Sequence, residues 1–166
     1  MSESRKKQTL TTGPFHVPSV PDDTAFANDR LVIVIKNPTQ RDLEASLSIE
    51  ICNVPNPNTV ITLPFVSIDA EVPFANVPEM EIPSESCARF EFELPVDQRP
   101  VLRISTTGDY AVGEERPLCG LLEITAVIGE GRFLPGNAPG LFNSDEALFR
   151  YADFVVCRRR NDDDDD

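Results

Sequence analysis

The residue types that most often carry catalysis are sparse in this 166-residue chain. There is one histidine, His16, and it lies in the proline-containing stretch TTGPFHVPSVPDD, which spans Thr11–Asp23. A Ser-His-Asp or Cys-His arrangement for nucleophilic catalysis would have to be built around that single side chain. We therefore interpret His16 as an ordinary residue of an N-terminal segment and predict no catalytic residues.

Two carboxylates alternate along the stretch CARFEFEL, where Glu91 and Glu93 follow Arg89 at every second position. A pair of carboxylates on one face of a strand could serve a glycosidase. The same spacing, with Arg89 on that face, is typical of the solvated side of a half-buried strand. We favour the solvated face, and we predict that the chain is not an enzyme and uses no cofactor.

The four cysteines are separated by 35, 32 and 38 residues, and no C-x-x-C pair occurs. Metal sites usually take two ligands from one tight turn, so we predict no metal site. Four cysteines allow three disulfide connectivities, among which the sequence does not choose. Buried free thiols are the alternative, because cytosolic synthesis keeps thiols reduced. The candidates for disulfides are Cys52, Cys87, Cys119 and Cys157.

Ligand recognition is the second function class that the sequence leaves open. Gly129-Glu130-Gly131 is too sparse for a phosphate-binding loop. Sugar-binding sites usually present Trp or Tyr platforms, whereas this chain has no Trp and only two tyrosines, Tyr110 and Tyr151. A ligand- or carbohydrate-binding module therefore remains an alternative function.

The formal net charge of the chain is −13, which argues against nucleic acid as a partner because phosphate binding needs a basic face. Five of the negative charges lie in Asp162–Asp166, directly after Arg158–Arg160, and we expect residues 158–166 to be a disordered tail. No apolar run approaches the length of a membrane span, and no apolar segment follows the basic N-terminus. We therefore predict synthesis in the cytosol without a signal peptide and no membrane partner.

Strand signals dominate the chain. Leu31–Lys36 is a continuous β-branched run that indicates a strand covered on both faces, and Glu44–Cys52 alternates apolar and polar residues as a half-buried strand does. Asp69–Ser86 is interpreted as a long proline-containing loop, and only Ser144–Tyr151 could form a short helical turn. The remaining strands are predicted at Thr59–Ile68, Cys87–Leu94, Val101–Ser105, Gly120–Ile128 and Glu146–Cys157.

This pattern predicts an all-β fold, an antiparallel two-sheet β-sandwich of jelly-roll or immunoglobulin-like type with seven to eight strands. Residues 1–24 are expected to form an extended N-terminal arm, residues 25–157 the β-sandwich domain, and residues 158–166 the tail.

The N-terminal arm has the properties of an assembly element. Its apolar and β-branched residues recur with the period of a strand, and its prolines keep it extended. Such an arm can add to the exposed edge strand of a neighbouring subunit, and head-to-tail contacts that do not close produce filaments. The residues assigned to this docking are Thr11, Thr12, Gly13, Pro14, Phe15 and Val17.

Several short motifs carry a resemblance to a known group of proteins. They are Thr12-Gly13-Pro14-Phe15, EASLSIEIC at Glu44–Cys52, Ile82-Pro83-Ser84, Val101-Leu102-Arg103-Ile104, Thr107-Gly108 and LLEITAVIG at Leu121–Gly129. In this order they resemble small spore-surface β-sandwich proteins of endospore-forming Firmicutes, nearest to the endospore-appendage fibre subunits.

The resemblance implies a structural, self-assembling subunit of a spore-surface layer or fibre. Its subunits would be joined by their N-terminal arms, and its partners would be further copies and other spore-surface proteins. In the appendage subunits the arm often links neighbours covalently through cysteines. Residues 1–30 of this chain contain no cysteine, so that covalent link does not carry over.

Overall fold

The structure, a computed structural model, describes residues 6–18, 28–52, 70–95, 101–114, 116–131, 139–141 and 143–157. These residues form antiparallel β-strands almost throughout, and their one helical segment is the 3-10 turn Tyr151–Asp153. The predicted all-β class is therefore confirmed. Within the same residues, no helix has the length and apolar character to cross a bilayer.

The described residues contain eleven strands, more than the seven to eight expected. The strands beyond those predicted are Gln8–His16, Glu71–Ile82, two strands of two residues each, and one that results from a division of the last predicted strand. The strands are β1 (Gln8–His16), β2 (Arg30–Lys36), β3 (Leu43–Cys52), β4 (Glu71–Ile82), β5 (Cys87–Glu93), β6 (Val101–Gly108), β7 (Ala111–Val112), β8 (Pro117–Leu118), β9 (Glu123–Glu130), β10 (Asn143–Phe149) and β11 (Val155–Cys157).

Three antiparallel sheets result. The five-stranded sheet has the order β11-β1-β6-β3-β4, the four-stranded sheet has the order β10-β9-β2-β5, and β7 pairs with β8. Strands that are neighbours in a sheet are often distant in sequence, so the fold depends on long-range pairing.

One apolar cluster is shared by the two larger sheets, because each contributes alternate residues of its strands. The β2 residues Leu31, Ile33 and Ile35 are buried in it, as the β-branched run predicts. Strand β3 contributes its odd-numbered apolar residues, from Leu43 to Ile51, and its even-numbered residues face outward. The alternation predicted for Glu44–Cys52 is confirmed.

The prediction of a loop at Asp69–Ser86 is wrong, because most of it is the twelve-residue strand β4. The two prolines of β4 coincide with irregularities in its pairing with β3. Pro73 lies where the register shifts between Ile49 and Glu50, and Pro78 lies within the second shift. In the described structure β4 is an edge strand, and an edge strand tolerates prolines because their missing N–H groups need not pair with a neighbour.

The last predicted strand, Glu146–Cys157, is divided. The chain leaves the four-stranded sheet after Phe149, makes the 3-10 turn, and joins the five-stranded sheet as β11. Phe149 packs against the core, whereas Val155 on β11 is exposed. The predicted strand Thr59–Ile68, much of the arm and the tail 158–166 lie outside the described residues.

Candidate assembly surface

The predicted N-terminal arm is not a separate element in the structure. Most of its described part is β1, which lies inside the five-stranded sheet between β6 and β11 of its own chain. The expected division between an arm at residues 1–24 and a domain at 25–157 is therefore corrected: β1 belongs to the domain. The physical reason is that β1 has backbone partners on both sides and an apolar face that completes the core.

Three apolar side chains anchor β1 and the residue that follows it. Leu10 is fully buried, and Val17 is nearly so. Phe15 is half-buried and meets the ring of Phe149 with the two ring centroids 4.4 Å apart. The predicted docking residues Phe15 and Val17 thus pack on their own domain, and Leu10 is an anchor that the sequence analysis did not single out.

A bulge interrupts the pairing of β1 with β6 between Thr11 and Pro14. Gly13 adopts a φ of 69° there, a conformation that glycine takes readily. Where the ladder is broken, the backbone N–H of Ile104 donates to the Thr12 hydroxyl at 3.2 Å, and the N–H of Gly13 donates to the Thr11 hydroxyl at 3.2 Å. The threonines of the TTGPF motif therefore satisfy backbone groups that the bulge leaves unpaired.

An ion cluster fastens the residue before β1 to two other strands. The Lys7 ammonium lies 2.8 Å from the Glu44 carboxylate on β3, and it also contacts Glu79 on β4. Hydrogen bonding to Glu44, followed by hydrogen bonding to Glu79, raises the pKa of Lys7 above its ordinary value. Lys7 thereby links the beginning of β1 to the far edge strand of the same sheet.

The outer face of the five-stranded sheet carries an array of hydroxyl groups that the sequence analysis missed. The ladder pairs Thr9 with Thr107 and Thr107 with Ser46 in one row. It pairs Thr11 with Ser105 and Ser105 with Ser48 in the next. We call these six residues the hydroxyl face: Thr9, Thr11, Ser46, Ser48, Ser105 and Thr107.

The side chains of the hydroxyl face are linked to one another. The hydroxyls of Thr9 and Thr107 share a hydrogen bond of 2.9 Å, and the Ser105 hydroxyl donates to that of Thr11 at 3.3 Å. The sequence signal was the alternation of Ser or Thr at every second position of three strands. What it could not give was the register that aligns the strands.

The structure leaves all four cysteines unpaired. Cys52 is partly buried, whereas Cys87, Cys119 and Cys157 are exposed. The alternative of buried thiols is therefore wrong for these three. Cys87 falls on the outward positions of β5 together with Arg89, and Cys157 pairs with Thr9 on the outer side of β11.

Glu91, the first carboxylate of the β5 pair, contacts two arginines and one backbone group. Glu91 lies 2.6 Å from the Arg89 guanidinium and 3.5 Å from that of Arg30, and it accepts a hydrogen bond from the backbone N–H of Gly140 at 3.0 Å. The Arg30 guanidinium in turn donates to the Gly140 carbonyl at 3.1 Å. Glu91 thus binds Gly140, which lies between β9 and β10 in the sequence.

An open groove of about 510 Å³ lies beside this ion cluster, lined by Arg30, Arg89, Glu91, Phe92, Glu93 and Pro139. Two ion pairs, Arg30 with Glu91 and Arg89 with Glu91, lie in its lining. The arrangement holds Gly140 beside β2 and β5.

The two tyrosines lie close together, with ring centroids 6.3 Å apart. Tyr110 is buried, and its hydroxyl shares a 2.8 Å hydrogen bond with that of Thr106. Tyr151 is half-buried and donates to the carbonyls of Ala111 and Leu118, each at 3.3 Å. Burial raises the pKa of both phenols well above the ordinary tyrosine value.

His16 is exposed at the last position of β1, where it pairs with Val101 of β6. Over the ranges that the structure describes, no group of three His, Cys, Asp or Glu side chains is placed to hold a metal ion. His16 and Cys52 are both ladder partners of Val101, so the width of one strand separates them.

Comparisons with known proteins found no matching family model, no matching curated protein and no matching solved structure. The resemblance to endospore-appendage fibre subunits therefore rests on the short motifs given above.

Proposed function

We propose that this protein is a structural subunit that self-assembles by exchange of its N-terminal strand. In the assembly, β1 of one copy occupies the position between β6 and β11 of the next copy. The observation that carries the proposal is the place of β1, which is first in chain order yet lies inside a sheet whose other strands come later.

The contacts that hold β1 favour exchange as much as they favour closure within one chain. Each buried large apolar side chain contributes roughly 1.5–3 kcal/mol, and β1 with its flanking residue brings Leu10, Phe15 and Val17. A neighbour's β1 makes the same contacts, because an identical element fills an identical position. The balance between the two forms depends on the connecting segment and on protein concentration.

The connection from β1 to β2 has a reach of tens of ångströms, which exchange requires. The ten residue steps from Pro18 to Asn28 reach up to about 35 Å when extended. In the closed chain the Asn28 side-chain amide donates to the Pro18 carbonyl at 2.7 Å, which holds the two ends of this connection together. Exchange has to break this hydrogen bond and separate the two ends of the connection.

We also propose how the two larger sheets are arranged. The apolar cluster shared by the two larger sheets supports a two-sheet β-sandwich of jelly-roll or immunoglobulin-like type. The setting we propose is the spore-surface layer or fibre that the sequence motifs imply, with other spore-surface proteins as further partners. Electron microscopy of spores labelled with antibodies against this chain tests that setting separately.

A cysteine pair placed across β1 and β6 tests the exchange. Thr9 and Thr107 are directly opposite, and their hydroxyl oxygens are 2.9 Å apart. In a background where the four native cysteines are changed to serine, Thr9→Cys with Thr107→Cys can close a disulfide between the two strands. The protein is refolded at high concentration, oxidised and separated on a denaturing gel without reductant.

The matched control is Ser46→Cys with Thr107→Cys, which joins β3 to β6 in the same row. We expect covalent ladders from the first pair and monomers from the control, because only the first pair crosses between chains after exchange. Monomers from both pairs at every concentration would mean that β1 stays on its own chain, and the proposal would fall.

The ligand-binding alternative loses its main candidate. Tyr110, one of the two tyrosines that could have formed a sugar-binding platform, is buried and hydrogen-bonded to Thr106. The groove beside β5 presents ion pairs and the edge of Phe92. We therefore keep assembly as the proposed function.

A further inference from the structure

We propose that β5 is a self-association edge, on which β5 of a second copy pairs in antiparallel orientation about a two-fold axis at Phe90. The pairing joins the two four-stranded sheets into one continuous sheet. This inference rests on the proposed assembly function and adds a contact that leaves β1 in place. The occupant is a second copy because β5 complements itself in charge and in main-chain hydrogen bonding.

β5 is the most regular of the four strands that end the two larger sheets in the described structure. β4 contains prolines and two register shifts, β10 pairs with one register shift, and β11 has three residues. β5 runs for seven residues without proline and pairs with β2 without a shift. Prolines, bulges and shortness keep an edge from pairing with another chain, so β5 is the edge best suited to accept a further strand.

The main-chain groups of β5 alternate between its two sides. At the ends of the β2–β5 ladder, the N–H of Asn37 donates to the Ser86 carbonyl and the N–H of Leu94 donates to the Asp29 carbonyl. Because hydrogen-bonded and non-hydrogen-bonded pairs alternate in an antiparallel ladder, the even-numbered residues of β5 bond to β2. The odd-numbered residues point their N–H and C=O groups away from β2. No other strand of the described structure pairs with this row.

The charges of the odd-numbered row select one register. With Phe90 opposite its own copy, Arg89 lies opposite Glu91 of the second copy, and Glu91 lies opposite its Arg89. A shift by two residues would place either two arginines or two glutamates directly opposite, which is unfavourable. A shift by one residue would place the open main-chain groups opposite groups that already bond to β2. Charge and hydrogen bonding therefore agree on the register at Phe90.

Each copy already contains the two charges that this register pairs. The Arg89 guanidinium lies 2.6 Å from Glu91 Oε1 within the chain, and 49% of the Arg89 side chain is exposed. In the dimer Arg89 turns to Glu91 of the second copy, whose own Arg89 replaces it. The N–H of Gly140 keeps its hydrogen bond to the other oxygen, Glu91 Oε2. No charge loses its partner, so the ion pairs act mainly on the choice of register.

The edge has a mixed charge although the chain is strongly acidic. A net charge of −13 makes most of the surface repel a second copy. The outward positions of β2 and β5, by contrast, hold three cations and two anions, namely Arg30, Lys36, Arg89, Glu91 and Glu93. In the proposed register Glu93 comes opposite Cys87 of the second copy, whose ladder partner is Lys36. A second acidic copy therefore meets nearby cations at this edge.

Partly exposed apolar side chains on the inner side of β5 are covered by the pairing. Ala88, Phe90 and Phe92 pack against the core but are not fully buried. Phe90 and its copy form a non-hydrogen-bonded pair, in which the Cα atoms are about 4.5 Å apart and the side chains are close. Ala88 faces Phe92 of the second copy. Apolar surface at the end of the sheet is thereby removed from water.

The length of the edge sets the expected strength. Seven residues that rise about 3.3 Å each give an edge of about 23 Å, with about eight main-chain hydrogen bonds between the copies. A contact along one edge buries less than the roughly 800 Å² per partner of a standard interface. We therefore expect a reversible dimer with a dissociation constant between about 10 μM and 1 mM. Strand exchange in the same assembly would strengthen it through effective concentration.

The first experiment is sedimentation equilibrium of the full chain with reductant present. Arg89→Glu places like charges opposite each other twice in the dimer, so we expect the dissociation constant to rise at least about tenfold. The control is Arg116→Glu, an equal charge change at an exposed residue between β7 and β8. It should stay within about twofold of the parent. Equal weakening by both variants, or a parent that stays monomeric up to about 1 mM, would overturn the inference.

Mixing two variants tests the register itself. Glu91→Arg alone should also dissociate, since two arginines then face each other across the contact. An equimolar mixture of Arg89→Glu with Glu91→Arg should form heterodimers of about parental affinity, because each changed residue meets an opposite charge. The control mixture of Arg116→Glu with Glu91→Arg has the same charge totals and should stay weaker. Absence of rescue with both variants folded by circular dichroism would overturn the register.

A disulfide tests the contact without changing Glu91. In a background with Cys52, Cys119 and Cys157 changed to serine, Glu93→Cys leaves Cys87 and the new thiol about 20 Å apart along one strand, too far to join within a chain. Between copies the two positions are opposite. Under air oxidation, oxygen takes the two electrons and two protons that each pair of thiols loses, and peptide mapping should find position 87 linked to position 93.

The control for this disulfide is Thr125→Cys in the same background, on β9 and away from the edge. Equal rates of dimer formation for the two variants, or a predominance of links between two Cys87 residues, would contradict the proposed pairing. If Glu91→Arg does not fold, the Arg89→Glu comparison and this disulfide still decide the question.

These outcomes separate the edge contact from strand exchange. The Thr9→Cys with Thr107→Cys pair reports on β1, which none of the edge variants changes. A ladder from that pair with no effect of Arg89→Glu removes the edge contact and leaves strand exchange standing. Monomers from that pair together with rescue in the variant mixture remove exchange and keep the edge contact.

Discussion

Strands β1 and β4 belong to the same sheet, both contain proline, and both pair irregularly, yet their places differ. β1 lies between two strands of the sheet, and Leu10 within it has no exposed surface. β4 is longer by three residues, lies at the edge in the described structure, and keeps Val72 and Met80 exposed. Proline content and length therefore do not decide whether a strand is central.

The two strands differ in the number of neighbouring strands with which they pair. β1 pairs with the long strand β6 on one side and with the short strand β11 on the other, and its apolar face packs on the core. β4 finds β3 alone among the described strands, and its glutamates and prolines are typical of an edge that resists further pairing. The segment that looked most like a free arm is thus the better integrated of the two.

The largest expected contrast comes from truncating one long apolar side chain in each strand. Leu10→Ala should lower the free energy of unfolding by about 2–5 kcal/mol, because it removes fully buried volume. Met80→Ala, at a side chain of similar size that is 38% exposed, should cost no more than about 1 kcal/mol. Urea denaturation measures both, and equal losses would mean that β1 and β4 are equally integrated.

We expect alkaline pH to lower the stability of the five-stranded sheet near β1. Thr106, the partner of Leu10 in the ladder, is hydrogen-bonded to Tyr110, whose pKa is raised by burial. The folded state then holds the phenol proton to higher pH than the unfolded state does. Stability is full below the ordinary tyrosine value of 10.0 and falls as pH rises, by up to about 1.4 kcal/mol per pH unit for each such group.

The readout for this titration is absorbance at 295 nm together with circular dichroism. We expect the tyrosines to ionise only as the protein unfolds, and Tyr110→Phe to move the alkaline transition to higher pH. Early ionisation of both tyrosines in a protein that is still folded would contradict the burial of Tyr110.

The bulge of β1 provides a smaller test. At Gly13 a methyl group would meet no atom within 4 Å, so the cost of Gly13→Ala comes from the backbone conformation alone. We expect a loss of about 1 kcal/mol. Gly13→Asn should cost less, because asparagine tolerates this conformation better. A larger loss with asparagine than with alanine would point to a steric cause instead.

Lys7 links the two strands directly, and its contribution should be the smallest. Lys7→Met should lower stability by less than about 1 kcal/mol, since the ion cluster is partly solvated. The pKa of Lys7 is raised, so this contribution is present below the ordinary value of 10.5 and is lost as pH rises through the raised pKa. Thermal unfolding should therefore show the two proteins converging above that pH, and also in high salt.

Much of the fold is readable from local patterns. The run Leu31–Lys36 and the alternation of Glu44–Cys52 predict strands where β2 and β3 lie, since side-chain period and burial are properties of each strand alone. The β4 strand was missed because its prolines indicate a loop unless one knows that a strand is at an edge. That information belongs to the whole sheet.

In the candidate assembly surface, too, some features follow from the local sequence and others depend on the whole sheet. The apolar character of Phe15 and Val17 predicts that they are buried, but not that Phe15 meets Phe149, which is 134 residues later in the chain. The outward position of Cys87 could have been inferred from its parity with Arg89 and Glu91. The hydroxyl face required the register of three strands, which no single strand encodes.

The pairing of β1 with β6 and β11 also sets the order of events during translation. β1 leaves the ribosome first, but Leu102 and Val156 on its two neighbouring strands are synthesised some ninety to one hundred and fifty residues later. For that interval the nascent β1 has an apolar face but neither of the two strands that pair with it in the fold. On a polysome, several copies emerge side by side. The first position between β6 and β11 that becomes available to one chain's β1 can then belong to an older chain ahead of it.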